Sequence, residues 1–274
     1  MYSGSTLSAY SGRLLGAHQK IDRVARRHLG RLLPACNFPD IRSILHFEGD
    51  NGPDAIKRKS PAKDEPWHYL QPFDLEDKQL IALIEDHYAK LVSALKAGDS
   101  VRSAFEAAWL AHAVVDGLTP AHHHPYEEKL VELRGGRGIE DRTTIGKKII
   151  MPGHTKRHAV RNNWLMWGPK GLFTTHAAFE AGVAMLIAPL SIKRALPKMD
   201  KITNFQSQPI GEWFRAQAQE VADLDLYDKF CASGWTVPLA NRVRSQLAPR
   251  LVESVTLVWY GALSEAGMAE GAKS

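Results

Sequence analysis

The apolar residues of this chain recur at helical spacing over most of its length, and this feature limits the fold more than any other. In each such segment they stand three or four positions apart, with charged or small residues between them, which places them on one face of a helix. Segments with alternating polarity and hairpin turns are scarce. We therefore predict an all-α, multi-helix bundle with helices at about 13–33, 77–96, 99–117, 173–188 and 238–265.

Length and composition indicate one globular domain, which we expect to span residues 1–274. The net charge of +5 mildly favours anionic partners. Cys36 and Cys231 cannot build a disulfide framework. The N-terminal segment lacks the apolar core of a signal peptide, and no apolar run reaches about eighteen residues. We expect a cytoplasmic protein without a transmembrane segment, and infer no obligate protein partner.

Residues from about 125 to 172 interrupt the helical pattern. The segment is rich in glycine, lysine and arginine, and we predict a basic excursion with only short pieces of regular structure. A loop of this length inside a compact domain is usually functional or mobile. His154 and His158 stand four residues apart within it, but basic residues surround them. We interpret this pair as solvated or phosphate-facing rather than metal-binding.

The stretch WLAHAVVDGLTPAHHH, residues 109–124, places reactive side chains at the end of an apolar helix. His112 and Asp116 are four residues apart and therefore share a helix face. A glycine ends the helix and Pro120 turns the chain, which can return His122 toward the helix end. Imidazole and carboxylate groups are ligands that zinc accepts. The alternative is a capped helix with solvated histidines.

Other residues could complete a metal site. His176 and Glu180 repeat the four-residue interval at the start of another apolar helix. His18 lies on the apolar side of the first helix, although a lone histidine there is more often a satisfied core residue. Asp54 and His68 are fourteen residues apart, each beside apolar neighbours. Two His–acid pairs on two buried helices favour ligands over coincidence.

Together these residues resemble the zinc-dependent phospholipases C and the related fungal and plant single-strand nucleases. In that superfamily a helical His-x-x-x-Asp is followed by Pro-x-His, and later by His-x-x-x-Glu or His-x-x-x-Asp. The run from His112 to His122 matches the first pattern, and Asp54 with His68 resembles an early Asp and His-aromatic pair of the family. The resemblance covers residues 18–180 in order, and Pro-x-His is its most specific element.

The resemblance implies a helix bundle around a buried, polynuclear zinc site. The implied ligands are Asp54, His68, His112 and Asp116 for a first zinc ion, His122, His176 and Glu180 for a second, and Asp116 with His18 for a third. Asp54 is also the implied catalytic residue. Either His122 or His123 could be the ligand after the proline, and the spacing of the family favours His122.

The implied activity is hydrolysis of a phosphodiester by metal-activated water, with a phospholipid or a single-stranded nucleic acid as substrate. The alternative is a non-catalytic, metal-stabilised helical binding module of the same fold. An HD-type phosphohydrolase needs an adjacent His-Asp dipeptide, which this chain does not contain. The chain departs from the family in two respects. No tryptophan stands near His18, and the gap of 54 residues from His122 to His176 is longer than expected.

Overall fold

The regular structure of this computed structural model is helical throughout the residues that it describes, 16–49, 51–57 and 59–268. No strand occurs among them, which confirms the predicted all-α class. The α-helices of this part of the chain are α1 (Ala17–Leu32), α2 (Ile41–His46), α3 (Pro53–Ile56), α4 (Gln79–Lys96), α5 (Ser100–Gly117), α6 (Tyr126–Leu133), α7 (Ile145–Ile149), α8 (Lys156–Trp167), α9 (Leu172–Ile187), α10 (Met199–Gln206), α11 (Ile210–Ala222), α12 (Leu226–Ser233), α13 (Val237–Arg242) and α14 (Ala248–Glu265). None of the described helices is both long and apolar enough to span a membrane.

The centre of the bundle consists of α4, α5 and α14. A short turn joins α4 to α5, and Gly98 takes a φ of 67° in it, a conformation that glycine adopts at little cost. The two helices therefore pack side by side, and α14 packs against both of them and against α1. Trp259 of α14 is fully buried, and its indole Nε1 donates a hydrogen bond to the carbonyl oxygen of Ala107 at 3.0 Å. The helix faces predicted from the spacing thus meet in one apolar core.

Four of the predicted helices are confirmed, with small shifts at their ends, as α1, α4, α5 and α9; residues 13–15 lie outside the described part of the chain. Asp99 caps α5, because its side chain accepts a hydrogen bond from the backbone N–H of Arg102 at 2.9 Å. The helix predicted at about 238–265 is confirmed as a helical run without a break over residues 237–265. Within this run, a turn of π-helix, Val243–Leu247, lies between α13 and α14. Pro249 in the first turn of α14 has no N–H to donate. The α-helical hydrogen-bond pattern is therefore interrupted there, and the wider bonding of a π-helix replaces it over one turn.

The basic excursion at about 125–172 contains more helix than predicted. It includes α6, α7 and α8, and α8 alone is 12 residues long. Tyr126, Leu130, Met151 and Met166 form a small apolar cluster apart from the main core. Because α6 and α8 also contact α9, the excursion packs beside that helix.

Candidate metal centre

The end of α5 and the turn that follows it bring His112, Asp116 and His122 together. His112 and Asp116 face the core one turn apart and are 2% and 1% exposed. After the helix, the backbone N–H groups of Thr119 and His122 donate to the carbonyl oxygens of Asp116 and Thr119, at 2.9 and 2.8 Å respectively. This tight turn returns His122, whose Nδ1 lies 3.7 Å from Oδ1 of Asp116.

His123 takes a different role. Its Nε2 lies 2.8 Å from the carbonyl oxygen of Gly117 and donates a hydrogen bond to it. Burial lowers the pKa of His123 to about 4, so the ring is neutral near pH 7 and bonds to the end of α5. The residue that the structure directs toward the other predicted ligands is therefore His122, as the proline spacing favours.

Asp116 is the common neighbour of four imidazole rings. Nε2 of His18 and Nδ1 of His122 lie 3.3 and 3.7 Å from its Oδ1. Nδ1 of His68 and Nε2 of His112 lie 2.5 and 3.1 Å from its Oδ2. His18 lies on α1 and His112 on α5, whereas His68 lies in the segment before α4 and His122 in the turn after α5. One buried carboxylate therefore joins four separate parts of the chain.

A first group of possible metal donors consists of Asp54, His68 and His112. One donor atom of each lies within 4.8 Å of the other two. Asp54 lies in the single turn of α3. His68 lies in a segment without regular structure, and two residues later Leu70 donates its backbone N–H to the carbonyl oxygen of His122 at 3.1 Å. This bond holds the segment of His68 against the turn after α5.

A second group consists of His122, His176 and Glu180, whose donor atoms also lie within 4.8 Å of one another. His176 and Glu180 stand one turn apart at the start of α9. Oε1 of Glu180 lies 2.8 Å from Nε2 of His122 and 3.0 Å from Nε2 of His176. Because His122 contacts Asp116 as well as Glu180, it links this group to the first.

A third group consists of His18, Glu48 and His112. Glu48 is fully buried after the end of α2, and no sequence pattern above predicts it. Its Oε1 lies 2.9 Å from Nδ1 of His112 and 3.7 Å from Nδ1 of His18. The other nitrogen of each ring, Nε2, is the one near Asp116. Glu48 therefore contacts the outer side of two rings whose inner sides face the shared carboxylate.

Asp22 is a second acidic residue that the sequence analysis misses. It follows His18 by one turn on α1 and is 1% exposed. Burial, together with the negative charge of Glu48, raises the pKa of Asp22 well above its ordinary value. The sequence does contain a pattern that could have indicated Asp22, because His18 and Asp22 repeat the four-residue His–acid interval of the two predicted pairs.

The charges of the cluster suit a metal. Burial lowers the pKa of His68 to about 4 and that of His122 to about 3, so both rings are neutral near pH 7 and keep a lone pair. Burial opposes the charged forms of Asp116 and Glu180, yet both pKa values are held well below the usual range; hydrogen bonds from His112 to Asp116, and from His122 and His176 to Glu180, contribute to this. For His112, burial is outweighed by two carboxylates that raise its pKa, and a metal would displace its proton.

The donors also fit a divalent metal in their geometry. Nε2 of His68 and Nδ1 of His176 are buried and have no hydrogen-bond partner among the described residues, which is costly unless another group binds them. Two donors bound to one ion at about 2.0–2.2 Å lie at most about 4.4 Å apart, and Oε1 of Glu180 lies well within that distance of Nε2 of His122 and Nε2 of His176. Buried histidine and carboxylate groups within metal-binding distance are therefore present in this structure.

A cavity of about 520 Å³ opens beside the first group, within the roughly 300–1,000 Å³ of ligand sites. Its wall includes His68, Lys57, Trp67, Tyr69 and Tyr126. Nζ of Lys57 donates to Oδ1 of Asp54 at 2.8 Å. Burial disfavours the charged form of Asp54, but the lysine outweighs it and holds the pKa of that carboxyl well below its ordinary value. The cavity thus gives access to the cluster past an aromatic wall and a cation.

All eight ligands predicted from the sequence belong to one connected cluster, and Glu48 extends it. Asp22 lies close enough to interact electrostatically with Glu48 and His112. His154 and His158 stack 5.6 Å apart at the start of α8 and belong to none of the three donor groups found among the described residues. A larger cavity of about 810 Å³, between α2 and the start of α5, contains none of the predicted ligands. No protein-family model, curated protein or solved structure matches this chain.

Proposed function

We propose that this protein is a zinc-dependent phosphodiester hydrolase that resembles the zinc-dependent phospholipases C and single-strand nucleases. The observation that supports this function most is the position of Asp116, whose carboxylate lies within 3.7 Å of four imidazole rings. Each of its two oxygens has its own pair of histidines. A carboxylate with two charged oxygens among four histidines would contribute to more than one ligand set.

The first two ligand sets contain the first and second donor groups. Asp116 is added to the first set, and paired with His18 in the third, because of its contacts with the histidines. Asp54, His68, His112 and Asp116 would hold a first zinc ion, His122, His176 and Glu180 a second, and His18 with Asp116 a third. Mixed nitrogen and oxygen donors are typical of catalytic zinc, and three protein ligands at the second ion leave a position for water. When bound, zinc lowers the pKa of water to about 7 and stabilises charge on phosphoryl oxygens.

The protein's own side chains would orient the substrate and the attacking water. Asp54 is kept charged by Lys57, so its carboxylate would orient the attacking water by accepting a hydrogen bond from it. Lys57 lies in the cavity wall and offers positive charge to the phosphate. Trp67, Tyr69 and Tyr126 form an apolar wall for the group attached to that phosphate.

The competing function is a non-catalytic binding module that zinc stabilises. Structural zinc sites are closed by protein ligands, whereas catalytic sites keep a position open. Here the cavity reaches His68, and the side chain of Asp54 is 16% exposed. The first donor group is therefore accessible from outside, which favours hydrolysis over a purely structural metal.

The test combines metal counting with turnover. We expect at least about two zinc ions per chain by elemental analysis, and hydrolysis of at least one of bis(4-nitrophenyl) phosphate, phosphatidylcholine and single-stranded DNA. Asp54→Asn should lose this activity, while Asp64→Asn, at an exposed aspartate, should keep it. Full zinc loading without turnover of any substrate supports the binding module. Less than about one metal per chain, even after zinc is offered, contradicts both functions.

A further inference from the structure

Exposed apolar side chains are concentrated in one part of the chain. Among the described residues, eight of the fourteen large apolar side chains that are exposed lie between positions 145 and 173. Trp164 is 67% exposed and Val160 is 71% exposed. Scattered apolar residues are normal on a protein surface, but a contiguous exposed group marks an interaction site.

These side chains form a continuous surface. Val160, Trp164 and Trp167 stand four and three residues apart on α8 and line one shallow groove. Nε1 of Trp167 donates to the carbonyl oxygen of Ile149 at 2.9 Å, which ties α8 to α7. The ring of Trp167 also lies 4.7 Å from that of Phe173. We call Ile149, Val160, Trp164, Trp167 and Phe173 together the α7–α8 surface.

The chain segment that carries the α7–α8 surface is basic. Residues 142–179 contain seven lysines and arginines and no aspartate or glutamate. Two of the seven, Arg142 and Lys148, form ion pairs with Glu127 and Glu65. The exposed remainder is Lys147, Lys156, Arg157, Arg161 and Lys170. Basic residues around exposed tryptophan and aliphatic side chains are the combination that binds the interface of anionic membranes.

The α7–α8 surface adjoins the candidate metal centre. Ile149, Trp167 and Phe173 line the cavity of about 520 Å³ that also contains His68 and Lys57. A molecule held at this surface therefore lies at the entrance to the donor cluster. Aliphatic side chains such as Val160 cannot stack on bases, whereas they insert readily among acyl chains, which favours a lipid surface over nucleic acid.

We propose that the α7–α8 surface binds anionic phospholipid bilayers and presents the cavity to their headgroups. Docking itself does not depend on hydrolysis. The further step, that phospholipid is the substrate, rests on the proposed function.

The test is co-sedimentation of the zinc-loaded protein with vesicles of phosphatidylcholine, with and without phosphatidylserine. We expect binding that needs phosphatidylserine and weakens with salt. Each lysine or arginine near an anionic bilayer strengthens binding by about fivefold, so Arg161→Glu should weaken it by at least that factor. Trp164→Ser should also weaken binding. The matched controls are Val237→Ser, at a residue 74% exposed elsewhere, and Lys201→Glu, at an exposed lysine of α10.

Hydrolysis of the small diester bis(4-nitrophenyl) phosphate separates docking from catalysis. Trp164→Ser should leave the rate of this hydrolysis unchanged, because Trp164 belongs to none of the three donor groups and does not line the cavity of about 520 Å³. Binding without turnover contradicts the proposed function but keeps the docking surface. The docking surface is wrong if vesicle binding is absent, or if Trp164→Ser and Val237→Ser bind alike. It is equally wrong if Trp164→Ser weakens single-stranded DNA binding or self-association and not vesicle binding.

Discussion

Oε1 of Glu48 lies 2.9 Å from Nδ1 of His112, while Nε2 of the same ring lies 3.1 Å from Oδ2 of Asp116. An imidazole between two carboxylates has a fixed orientation. Metal-binding histidines commonly donate their second N–H to such a carboxylate, which fixes the ring and raises its basicity. Glu48 is therefore a positioning residue, because it contacts a proposed ligand and does not line the cavity.

Glu48→Ala should lower zinc affinity by about 10- to 100-fold, the usual effect of removing a carboxylate behind a ligand histidine. Glu48→Gln should restore part of the loss, because its amide oxygen still accepts from His112. A competition titration with a chromophoric chelator measures both affinities. The matched control is Glu132→Ala, at an exposed glutamate of α6. Equal affinities for the two alanine variants would show that Glu48 has no part in metal binding.

Asp116→Asn should cost more than one metal ion per chain. Asparagine has the shape of aspartate, so α5 should persist, but it lacks the two charged oxygens that face two pairs of histidines. Glu180→Gln should remove only the second ion, because Glu180 belongs to a single donor group. Elemental analysis of the purified variants gives the counts, with Asp64→Asn as the control. If Asp116→Asn and Glu180→Gln each lose one ion, Asp116 does not contribute to more than one ligand set.

The parts of the site that sequence could predict are those set by local spacing. A His–acid pair four residues apart on an apolar helix stays together in the folded protein, and both predicted pairs do so. Asp22 carried the same signal beside His18. Glu48 carried none, because its contact with His112 joins residues 64 positions apart. Such a contact depends on how α2 packs against α5, which no local pattern encodes.

The fold shows the same limit. Long helices with one apolar face, such as α4 and α5, are predicted because tertiary packing and local spacing agree. Residues 199–233, which are not among the predicted helices, form the three shorter helices α10, α11 and α12. Short helices depend on tertiary contacts more than on their own propensity. Helix α8, within the basic excursion, also depends on tertiary contacts, because it packs against α6 and α9, and it is longer than the short pieces of structure predicted there.

Gly117→Ala should destabilise the protein by about 1–3 kcal/mol, the usual cost of overpacking a core. The sequence indicates this glycine as a helix stop, yet its role in the structure is to allow close packing. A Cβ atom there would lie 2.5 Å from Cζ of Phe214 and 2.7 Å from Cδ2 of Leu80. Urea unfolding measures the loss. The control is Gly138→Ala, where a Cβ meets nothing within 4 Å, and an equal effect of both changes would exclude the packing explanation.

His122→Ala should lower the zinc content of the protein, whereas His123→Ala should not. His122 contacts both Asp116 and Glu180, so its removal should release the second zinc ion and abolish hydrolysis. His123 bonds only to the carbonyl oxygen of Gly117 among the hydrogen bonds described. Its removal should therefore cost about 0.5–1.5 kcal/mol of stability and leave the zinc count unchanged.

Elemental analysis and urea unfolding of the two variants distinguish these roles, and the pair controls itself because the residues are neighbours of the same type. His154→Ala and His158→Ala should match His123→Ala in zinc content, since both rings lie outside the three donor groups. If His123→Ala loses zinc while His122→Ala keeps it, the ligand assignment in the turn after α5 is reversed. If the zinc count falls in His158→Ala, the basic excursion contributes a zinc ligand, and the assignment of His122, His176 and Glu180 as the ligands of the second ion is wrong.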